Sequence, residues 1–403
     1  MVASPRVPVS GSYSGGMDLE PLPVPAGRAA VGVLERLRRA LAGEGAVLPH
    51  PPDSPPPAVP EPVGALPEDL AVVVGTSGST GSPKLALLGS QALASSARAT
   101  HERLGGPGQW LLTLPAHHVA GIQVLLRSLD AGSEPVTTDL SDGFTPAAFT
   151  AAVGRLDPGL RGYTSLVPTQ LVRLLADAAA TRALRALQGV LVGGAATPPA
   201  LRRRAEQAGV TLHLTYGMSE TAGGCVYDGL PLTGARVRTD DEGRVHLGGA
   251  TLAHGYLGRP ELTARSFTTD PDGSRWFRTD DAGHVDDAGR LHVEGRLDDL
   301  VNTGGMKVAP RGVEEAALEH LPGVLEAVAV ATPDAEWGQA VSLLLVPAPG
   351  ARPLPLPEVR ERLRGHLPDH ALPRRVVSAP AVPLRGPGKP DRAAVAALFA
   401  VGG

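Results

Sequence analysis

The sequence predicts an α/β fold: a large N-terminal domain of mostly parallel sheets covered by helices, with a β-rich subdomain, and a small α+β C-terminal domain. Three observations support this prediction. Between residues 70 and 216, short apolar runs alternate with Ala/Leu/Arg-rich helical stretches, the pattern of parallel sheets with crossover helices. Residues 232–296 instead carry short alternating runs separated by turn signals. From about residue 297, a shorter region mixes helix and strand patterns.

The apolar runs of the first region are the predicted strands LAVVV, WLLTLP, GYTSLVP, GVLVGGA and VTLHLTYG. The stretches TQLVRLLADAAATRALRAL and PALRRRAEQAG are predicted to be helical. Ligands of such sheets bind at the carboxyl ends of the strands, so Gly75, Gly193 and Tyr216, which follow apolar runs, are expected to converge. The proline-rich residues 49–63 predict a surface loop or linker.

Local sequence patterns also predict the elements of residues 232–296 and of the C-terminal region. Turns are predicted at DDEG, PDGS and DDAG in the β-rich part. The C-terminal part predicts a helix near residues 311–320, strands EAVAVAT and VSLLLVP, a helix LPEVRERLRGHL and a strand RRVVSA. We therefore predict two domains, residues 1–296 and 297–403.

Composition, charge and cysteine count limit the classes of protein to which the chain can belong. The 403 residues are 42% apolar and 19% charged, as in soluble globular proteins, and the net charge of −4 favours neither nucleic acid nor a charged membrane surface. No apolar run reaches transmembrane length, so no membrane insertion is expected. The single cysteine, Cys225, excludes an internal disulfide and fits a cytoplasmic protein. Residues 1–16 lack the apolar stretch of a signal peptide and predict a disordered leader, unless Met17 is the true start.

The stretch GTSGSTGSPK at residues 75–84 has the composition of a phosphate-binding loop. It is not a Walker loop, because Pro83 rather than Gly precedes Lys84 and Leu85 follows it. Its glycines let backbone N–H groups approach an anion, its hydroxyls add donors, and Lys84 adds charge. Short apolar runs flank it, so it is expected to join two strands. The alternative is a flexible Gly/Ser hairpin without a ligand.

Lysine is rare in this chain. Of the 37 basic residues, only Lys84, Lys307 and Lys389 are lysines, and all three lie in Gly-rich loops. A lysine that persists in an arginine-rich sequence is a candidate for a site that needs a compact, mobile ammonium group. These three residues are therefore candidate functional residues; a solvent-facing lysine remains the alternative for Lys307.

Seven loops occur in a fixed order: TSGSTGSPK, LPAHHVAG, VGGA, TYGMSET, WFRTDDAG, GRLDDLVNTGGMKVAP and GPGK. Together they resemble the adenylate-forming superfamily, over about residues 70–392. The resemblance implies that a carboxylic acid reacts with ATP to give an acyl-adenylate and pyrophosphate, and that coenzyme A then displaces AMP. It implies Mg²⁺ as cofactor and a mobile C-terminal domain that rotates between the steps. A homodimer is compatible with it.

The resemblance assigns the ATP-binding residues. Thr76, Ser77, Gly78, Ser79, Thr80, Gly81 and Lys84 would form the β,γ-phosphate loop. Tyr216 would stack on adenine beside Gly194 and Ala195, and Ser219 would contact the α-phosphate. Gly217 and Met218 of the same stretch complete the implied ATP/AMP-binding set. Glu220 would bind Mg²⁺. The structural alternatives are a tyrosine that caps a core strand and, for Glu220, an acidic residue at a helix N-terminus.

Other implied roles lie later in the chain. Asp281 and Arg296 would hold the ribose, although the family usually has Thr-Gly-Asp where this chain has Thr279-Asp280-Asp281, which leaves the local backbone in question. Asp298 matches the hinge, with an ordinary turn as the alternative. Lys389 matches the catalytic lysine of adenylation, and Gly304, Gly305 and Lys307 lie on the side where CoA would bind.

The stretches LPAHHVAG, YTSLVPTQLVRLL and GGCVYDGLPLTG look like those of o-succinylbenzoate–CoA ligases of menaquinone synthesis, especially the short actinobacterial form. His118 would line the acyl pocket, with His117 facing away; Ser165 and Gln170 would add polar contacts, and Gly223 and Gly224 would leave room for an aromatic ring. Gln170 could equally be a helix-start residue. The alternatives are a CoA ligase for another aromatic acid, an amino-acid-activating domain, which the missing pocket Asp disfavours, and a non-catalytic nucleotide-binding regulator.

Overall fold

The computed structural model describes residues 18–59, 65–76, 84–140, 143–385 and 389–400, with the backbone alone for Arg385 and Lys389. The chain divides into two compact units. Unit 1 takes the chain up to Ala196, then Ala205–Val237 and His246–Arg278; unit 2 takes Thr197–Arg204, Arg238–Val245 and Thr279–Gly403. The predicted leader lies outside the described residues, and the predicted boundary at 296/297 stays a prediction.

The first sheet of unit 1 lies around the predicted phosphate loop. It contains β1 (Leu19–Pro23), β2 (Ala46–His50), β3 (Leu70–Gly75) and β4 (Leu85–Gly89), in this order, with α1 (Leu34–Leu41) between β1 and β2. β1, β2 and β3 are parallel, and β4 returns antiparallel to β3 with Leu85 opposite Gly75. The prediction that the loop joins two strands is thus confirmed.

β1 and β2 were not predicted from the sequence. The prolines of β1 are compatible with its place at the edge of the sheet, where a missing N–H costs no ladder hydrogen bond. β2 extends into the proline-rich segment as far as His50, and residues 51–59 that follow are exposed or half-buried loop. The core under this sheet includes Leu48, Leu70 and Val73.

The second sheet of unit 1 carries most of the predicted strands. Its order is β11-β10-β9-β8-β7-β5-β6. The strands are β5 (Gln109–Leu112), β6 (Val136–Thr137), β7 (Gly162–Leu166), β8 (Gly189–Val192), β9 (Leu212–Met218), β10 (Gly223–Tyr227) and β11 (Leu230–Pro231). β6, β5, β7, β8 and β9 run parallel, while β10 is antiparallel to β9. The predicted mostly parallel sheet is therefore confirmed.

Helices connect these strands: α2 (Ser90–Arg103), α3 (Val119–Ala131), α4 (Pro146–Val153), α5 (Pro168–Leu175), α6 (Ala178–Arg185) and α7 (Pro199–Gln207). The long helical stretch of the sequence is two helices, because the Asp177 carboxylate accepts a hydrogen bond from the Ala180 N–H at 2.8 Å and starts a new helix. Trp110, Tyr163 and Phe149 are fully buried.

The expected convergence at one sheet needs a correction. Gly193 follows β8, and Tyr216 lies within β9 of the second sheet, but Gly75 is the last residue of β3 in the first sheet. The phosphate loop and the predicted adenine site therefore start from different sheets of unit 1. Apolar strand patterns give no information about which sheet a strand joins.

The β-rich region comprises β12 (Ala235–Thr239), β13 (Arg244–Gly249), α8 (Pro260–Ser266), β14 (Phe267–Thr269), β15 (Arg275–Val285) and β16 (Leu291–Arg296). In unit 1, β14 pairs antiparallel with the start of β15; in unit 2, the end of β15 pairs with β16. The predicted turns are present, closed by N–H to C=O bonds from Gly243 to Asp240, Gly273 to Asp270 and Gly289 to Asp286.

Unit 2 contains the small C-terminal region. Its elements are β17 (Val301–Thr303), β18 (Met306–Val308), α9 (Pro310–His320), β19 (Val324–Asp334), β20 (Gly338–Pro347), α10 (Leu356–Leu363), β21 (Arg375–Ser378), β22 (Leu384–Arg385), β23 (Lys389–Pro390) and α11 (Arg392–Ala397). The sheet order is β18-β17-β20-β19, with β21 parallel to β20. The predicted α+β pattern is confirmed, except that α10 ends at Leu363. Across the described residues, no helix has the length and apolar character that crossing a membrane requires.

Candidate active site

The two ends of the predicted phosphate loop, Thr76 and Lys84, are hydrogen-bonded to each other. The Thr76 N–H donates to the Lys84 carbonyl at 2.8 Å, which closes the hairpin between β3 and β4. The Thr76 hydroxyl is buried and has no hydrogen-bond partner among the residues that the structure describes. A buried hydroxyl in this position is a ready donor to a phosphate oxygen. The predicted loop residues Ser77, Gly78, Ser79, Thr80 and Gly81 lie outside the described residues.

Lys84 and Glu220 meet at a third residue, Tyr256. The Tyr256 hydroxyl donates to Oε1 of Glu220 at 2.7 Å. Lys84 Nζ lies 5.6 Å from the centroid of the Tyr256 ring, within cation–π range. Glu220 and Tyr256 are buried. One aromatic side chain therefore contacts both the lysine of the phosphate loop and the predicted metal ligand.

The turn that carries Glu220 is fixed by its own sequence. Ser219–Thr221 form one 3-10 turn, and the Thr221 hydroxyl accepts from the Met218 N–H and contacts the Gly223 carbonyl at 2.7 Å. Ala222 closes the turn in the left-handed conformation, with φ 53°. At Gly217, a Cβ atom would lie 2.1 Å from the Gly223 carbonyl oxygen, so only glycine fits between β9 and β10.

The donor set fits magnesium as the resemblance implies. Glu220 offers one buried carboxylate, and the described part of the chain contains no cluster of three or more His, Cys, Asp or Glu that could hold a metal ion. Mg²⁺ is commonly held by one or two carboxylates together with phosphate oxygens and water, whereas an all-protein cage needs more ligands. Glu220 therefore fits a metal that arrives with ATP.

The predicted adenine side lies where β8 and β9 run in parallel. β8 ends at Val192, opposite Leu214 of β9. Gly194 and Ala195 follow two and three residues after Val192, and Tyr216 lies two residues after Leu214. Gly194 has φ 79°, which favours glycine, and both Gly194 and Ala195 are exposed. Tyr216 is half-buried and pairs with Val226 of β10.

The predicted acyl-pocket residues lie at the N-terminus of α3 and along β7 and β10. His118 precedes α3 and is exposed, while His117 is half-buried, with 4.3 Å between the two ring centroids. The Ser165 side chain in β7 is buried, and its hydroxyl has no hydrogen-bond partner among the described residues. Ser165 thus presents a buried hydroxyl without a described partner, and its contact with a substrate stays a prediction.

Gln170 is engaged locally. Its Oε1 accepts from the Val167 N–H at 3.0 Å, and its Nε2 donates to the Thr113 carbonyl at 3.1 Å, which are the contacts of a helix-start residue. A substrate contact by Gln170 stays a prediction. At Gly223 an added Cβ would meet Gln123 at 3.3 Å, and at Gly224 it would meet Tyr227 at 3.1 Å. These glycines let β10 pack closely; room for a substrate ring stays a prediction.

The predicted ribose residues lie in unit 2. Asp281 is opposite Arg296 in the β15–β16 pairing, and the Asp281 N–H donates to the Thr279 hydroxyl. The Arg296 guanidinium makes two hydrogen bonds to Asp298, at 2.7 and 2.9 Å, which raise the pKa of Arg296 and lower the pKa of Asp298. Asp280 is exposed and forms an ion pair with Arg244 at 3.4 Å.

Asp280, which stands where the family usually has glycine, does not strain the backbone. Within the described ranges, Ala222 and Asp228 are the non-glycine residues with positive φ, so Asp280 needs no glycine-like conformation. Its side chain points to solvent, where an aspartate fits as well as a glycine. The departure from the usual family sequence therefore leaves the strand intact.

The residues on the predicted CoA side form a hairpin in unit 2. Gly304 and Gly305 have φ 59° and 81° and join β17 to β18, where Lys307 is exposed. A Cβ at Gly304 would lie 2.3 Å from the Trp337 ring, which explains glycine there. The Lys389 backbone pairs with Arg385 in the β22–β23 hairpin.

Sequence reasoning missed Tyr256 and Gln123. Gln123 of α3 donates to the Ala222 carbonyl at 2.7 Å and so supports the Glu220 turn. A signal for Tyr256 was present: the chain has only five tyrosines, and a buried tyrosine needs a partner for its hydroxyl. Cys225 is buried, and burial raises the pKa of its thiol to about 12.

Comparison with known proteins gives a consistent result. The model of the AMP-binding enzyme family matches residues 24–257, and the model of the AMP-binding enzyme C-terminal domain matches residues 313–389. A probable 2-succinylbenzoate–CoA ligase of Mycobacterium tuberculosis (strain ATCC 25618 / H37Rv) is 44% identical over 391 residues, which cover 94% of this chain and 98% of that protein.

Two solved structures share the fold. Amide bond synthetase McbA from Marinactinospora thermotolerans has a TM-score of 0.74 at 29% identity and covers 92% of this chain and 78% of its own. The o-succinylbenzoate CoA synthetase from Bacillus subtilis, in complex with its acyl-adenylate intermediate, has a TM-score of 0.75 at 22% identity, with 94% and 88% covered. The matching family models and the 44% identity to the mycobacterial protein show that the chain belongs to the AMP-binding enzyme family.

Proposed function

We propose that the chain is a 2-succinylbenzoate–CoA ligase, an AMP-forming acid–thiol ligase that serves menaquinone biosynthesis. The observation that supports this most directly is the 44% identity to the mycobacterial protein, which extends over 94% of this chain. In the first half-reaction, the succinyl carboxylate attacks the α-phosphorus of ATP and pyrophosphate leaves. In the second, the sulfur of CoA attacks the acyl carbon, AMP leaves, and the thiol proton is released.

Unit 1 would bind ATP. The Thr76 hydroxyl and the Lys84 ammonium group would hold the β- and γ-phosphates, and Tyr216 would stack on adenine. Glu220 would hold Mg²⁺ together with phosphate oxygens; bound there, the ion would supply positive charge to the leaving pyrophosphate. Ser219, buried beside Glu220, would contact the α-phosphate.

Unit 2 would supply the ribose contacts and also the groups that change between the steps. Asp281 and Arg296 would bind the ribose, and Lys389 would stabilise the negative charge that builds up at the α-phosphate. Rotation about Asp298, just after the proposed domain boundary of 296/297, would replace Lys389 by the hairpin of Gly304, Gly305 and Lys307 for the attack of CoA. A homodimer stays compatible with the family resemblance, and the cytoplasmic location stays a prediction.

The acyl pocket must accept a second carboxylate, the one on the ring of the substrate. An unpaired charge buried in a protein costs several kcal/mol, so donors or ordered water must meet it. The Ser165 hydroxyl is buried and unpartnered within the described residues, and it is a suitable neutral donor. His118 at the start of α3 would line the same pocket.

The test compares o-succinylbenzoate with benzoylpropionate, which lacks the ring carboxylate, and with benzoate. Thioester formation is measured by mass spectrometry and pyrophosphate release by a coupled assay. We expect kcat/KM for o-succinylbenzoate to exceed that for benzoylpropionate by at least about tenfold, because the analogue leaves buried donors unpaired. If benzoate or benzoylpropionate is the better substrate, the enzyme is a CoA ligase for another aromatic acid. A chain that releases no pyrophosphate with any acid would be a nucleotide-binding regulator.

A further inference from the structure

We infer that Tyr256 is a positioning residue for the adenylation step: its phenol holds the carboxylate of Glu220 at a fixed place beside the end of the phosphate loop. The inference rests on the proposed function in one respect, that Glu220 holds the Mg²⁺ that accompanies ATP. It does not depend on which acid the enzyme activates.

The backbone of Tyr256 is tied to β4, the strand that leaves the phosphate loop. Ala86 and Tyr256 form an antiparallel bridge. On either side of it, the Leu87 N–H donates to the Gly255 carbonyl at 2.9 Å, and the Leu257 N–H donates to the Leu85 carbonyl at 2.8 Å. The segment around Tyr256 therefore keeps its position relative to the strand that starts at the loop.

The Tyr256 side chain has little freedom. It is 4% exposed, and its ring packs edge-on against Phe267 with 5.7 Å between the centroids. A buried ring in such packing has a defined rotamer. Its hydroxyl therefore has a fixed location, and a group that binds it is held there too.

Glu220 is held by the same segment at two points. Its carbonyl accepts from the Ala253 N–H at 2.8 Å, and its Oε1 accepts from the Tyr256 hydroxyl at 2.7 Å. The side chain is 7% exposed, so this bond to a carboxylate is made away from bulk water, where it is stronger than on the surface. The contact restricts the torsions of a side chain that has three rotatable bonds.

Lys84 completes the arrangement. Its ammonium lies 5.6 Å from the Tyr256 ring centroid, so the ring face attracts the lysine while the ring hydroxyl holds the glutamate. These two groups are the proposed phosphate and metal contacts of one substrate, MgATP. A single tyrosine thus sets the relative position of both.

The experiment uses the full chain and needs neither acid nor CoA. ATP binding is measured by isothermal titration calorimetry, once with Mg²⁺ and once with EDTA, for the wild type and Tyr256→Phe. The Phe variant keeps the ring, the packing on Phe267 and the face offered to Lys84. We expect its affinity for ATP with Mg²⁺ to fall about tenfold or more, the size of a lost hydrogen bond to a charged group. With EDTA the change should stay below about twofold, because the metal ligand then has no role.

Two further variants separate positioning from packing. Tyr163→Phe removes the hydroxyl of another buried tyrosine of unit 1, which hydrogen-bonds the Leu104 and Gly106 carbonyls, and should lower the melting temperature without changing the Mg²⁺ dependence. Glu220→Asp keeps a carboxylate but withdraws it from the Tyr256 hydroxyl, and should weaken binding with Mg²⁺ as Tyr256→Phe does. This second variant tests whether Glu220 acts through Mg²⁺, the premise on which the role of Tyr256 rests, even if Tyr256→Phe does not fold; an equal loss with EDTA would overturn that premise.

A double-mutant cycle gives the decisive readout. In a Glu220→Gln background, Tyr256→Phe should cause no further loss of affinity with Mg²⁺, since the tyrosine acts through the carboxylate. Equal losses with Mg²⁺ and with EDTA, additive losses in the cycle, or wild-type titrations for Tyr256→Phe would each overturn the inference. Failure of the proposed function would look different: no pyrophosphate release with o-succinylbenzoate, whatever the binding of ATP.

Discussion

The two units hold their candidate residues in different ways. In unit 1, Glu220 and Tyr256 are 7% and 4% exposed, and their contact is enclosed by backbone hydrogen bonds to β4. In unit 2, the side chains of Arg296 and Asp298 are 42% and 52% exposed, although they make two hydrogen bonds to each other. Buried polar contacts are costly to break, whereas exposed ion pairs are weak and screened by salt.

This difference suits the work that each unit would do. A site that binds the same nucleotide in both half-reactions gains from groups that stay in place. A hinge must turn at small cost between the half-reactions, and the exposed pair Arg296–Asp298, which includes the proposed hinge residue, meets that requirement. Arg392, three residues after Lys389, is held more firmly, because it forms ion pairs with Asp299 at 3.2 Å and Glu314 at 2.7 Å.

The largest expected effect comes from Lys389, and it tests whether unit 2 residues serve single steps. For Lys389→Ala we expect acid-dependent pyrophosphate release to fall by about 10²–10³, the usual cost of one contact that stabilises charge in the transition state. Thioester formation from preformed acyl-adenylate and CoA should remain largely intact. Lys307→Ala is the matched control, because it should slow the thioester step and spare adenylation. If both steps fall equally in Lys389→Ala, the comparison between the units is wrong.

A smaller effect is expected at the Thr279-Asp280-Asp281 segment. Asp281→Ala should raise the KM for ATP by about tenfold, because the carboxylate would accept hydrogen bonds from the ribose hydroxyls. Asp280→Gly should change the KM for ATP by less than about twofold, since the Asp280 side chain is 61% exposed and its ion pairs with Arg244 at 3.4 Å and Arg296 at 3.6 Å are long. Steady-state kinetics with varied ATP measure both. A larger effect for Asp280→Gly than for Asp281→Ala would contradict the assignment.

The sequence predicted local features better than long-range ones. The phosphate loop between two strands and the turn at Asp240–Gly243 follow from patterns within ten residues, because turn residues and apolar runs act locally. The contact of Glu220 with Tyr256 joins residues that are 36 positions apart and depends on how separate segments pack. The same is true of the first sheet, where β1 carries prolines that local patterns place in loops.

The smallest expected effect is on the pH dependence of stability, through His117. It tests whether unit 1 differs from unit 2 by burying its polar groups. Burial lowers the pKa of His117 to about 4 from 6.5, with the neighbouring His118 and His50 adding to the effect. Between these two values the unfolded chain binds a proton that the folded chain does not, so stability falls as the pH is lowered from about 6.5 towards 4. His117→Gln removes this group and should make the loss of melting temperature over that range smaller, by roughly 2–5 °C.

Thermal melts of both proteins from pH 7 to pH 4 measure the difference, and it should vanish above about pH 7, where folded and unfolded His117 are both neutral. The control is His284→Gln, since that histidine is 59% exposed and its surface pair with Glu294 contributes little. Its melting temperature should fall with pH about as steeply as that of the wild type. If His117→Gln also follows the wild-type curve, His117 is solvated in solution. In that case burial would explain how unit 1 holds the Glu220–Tyr256 contact, but it would not hold His117 just before the start of α3.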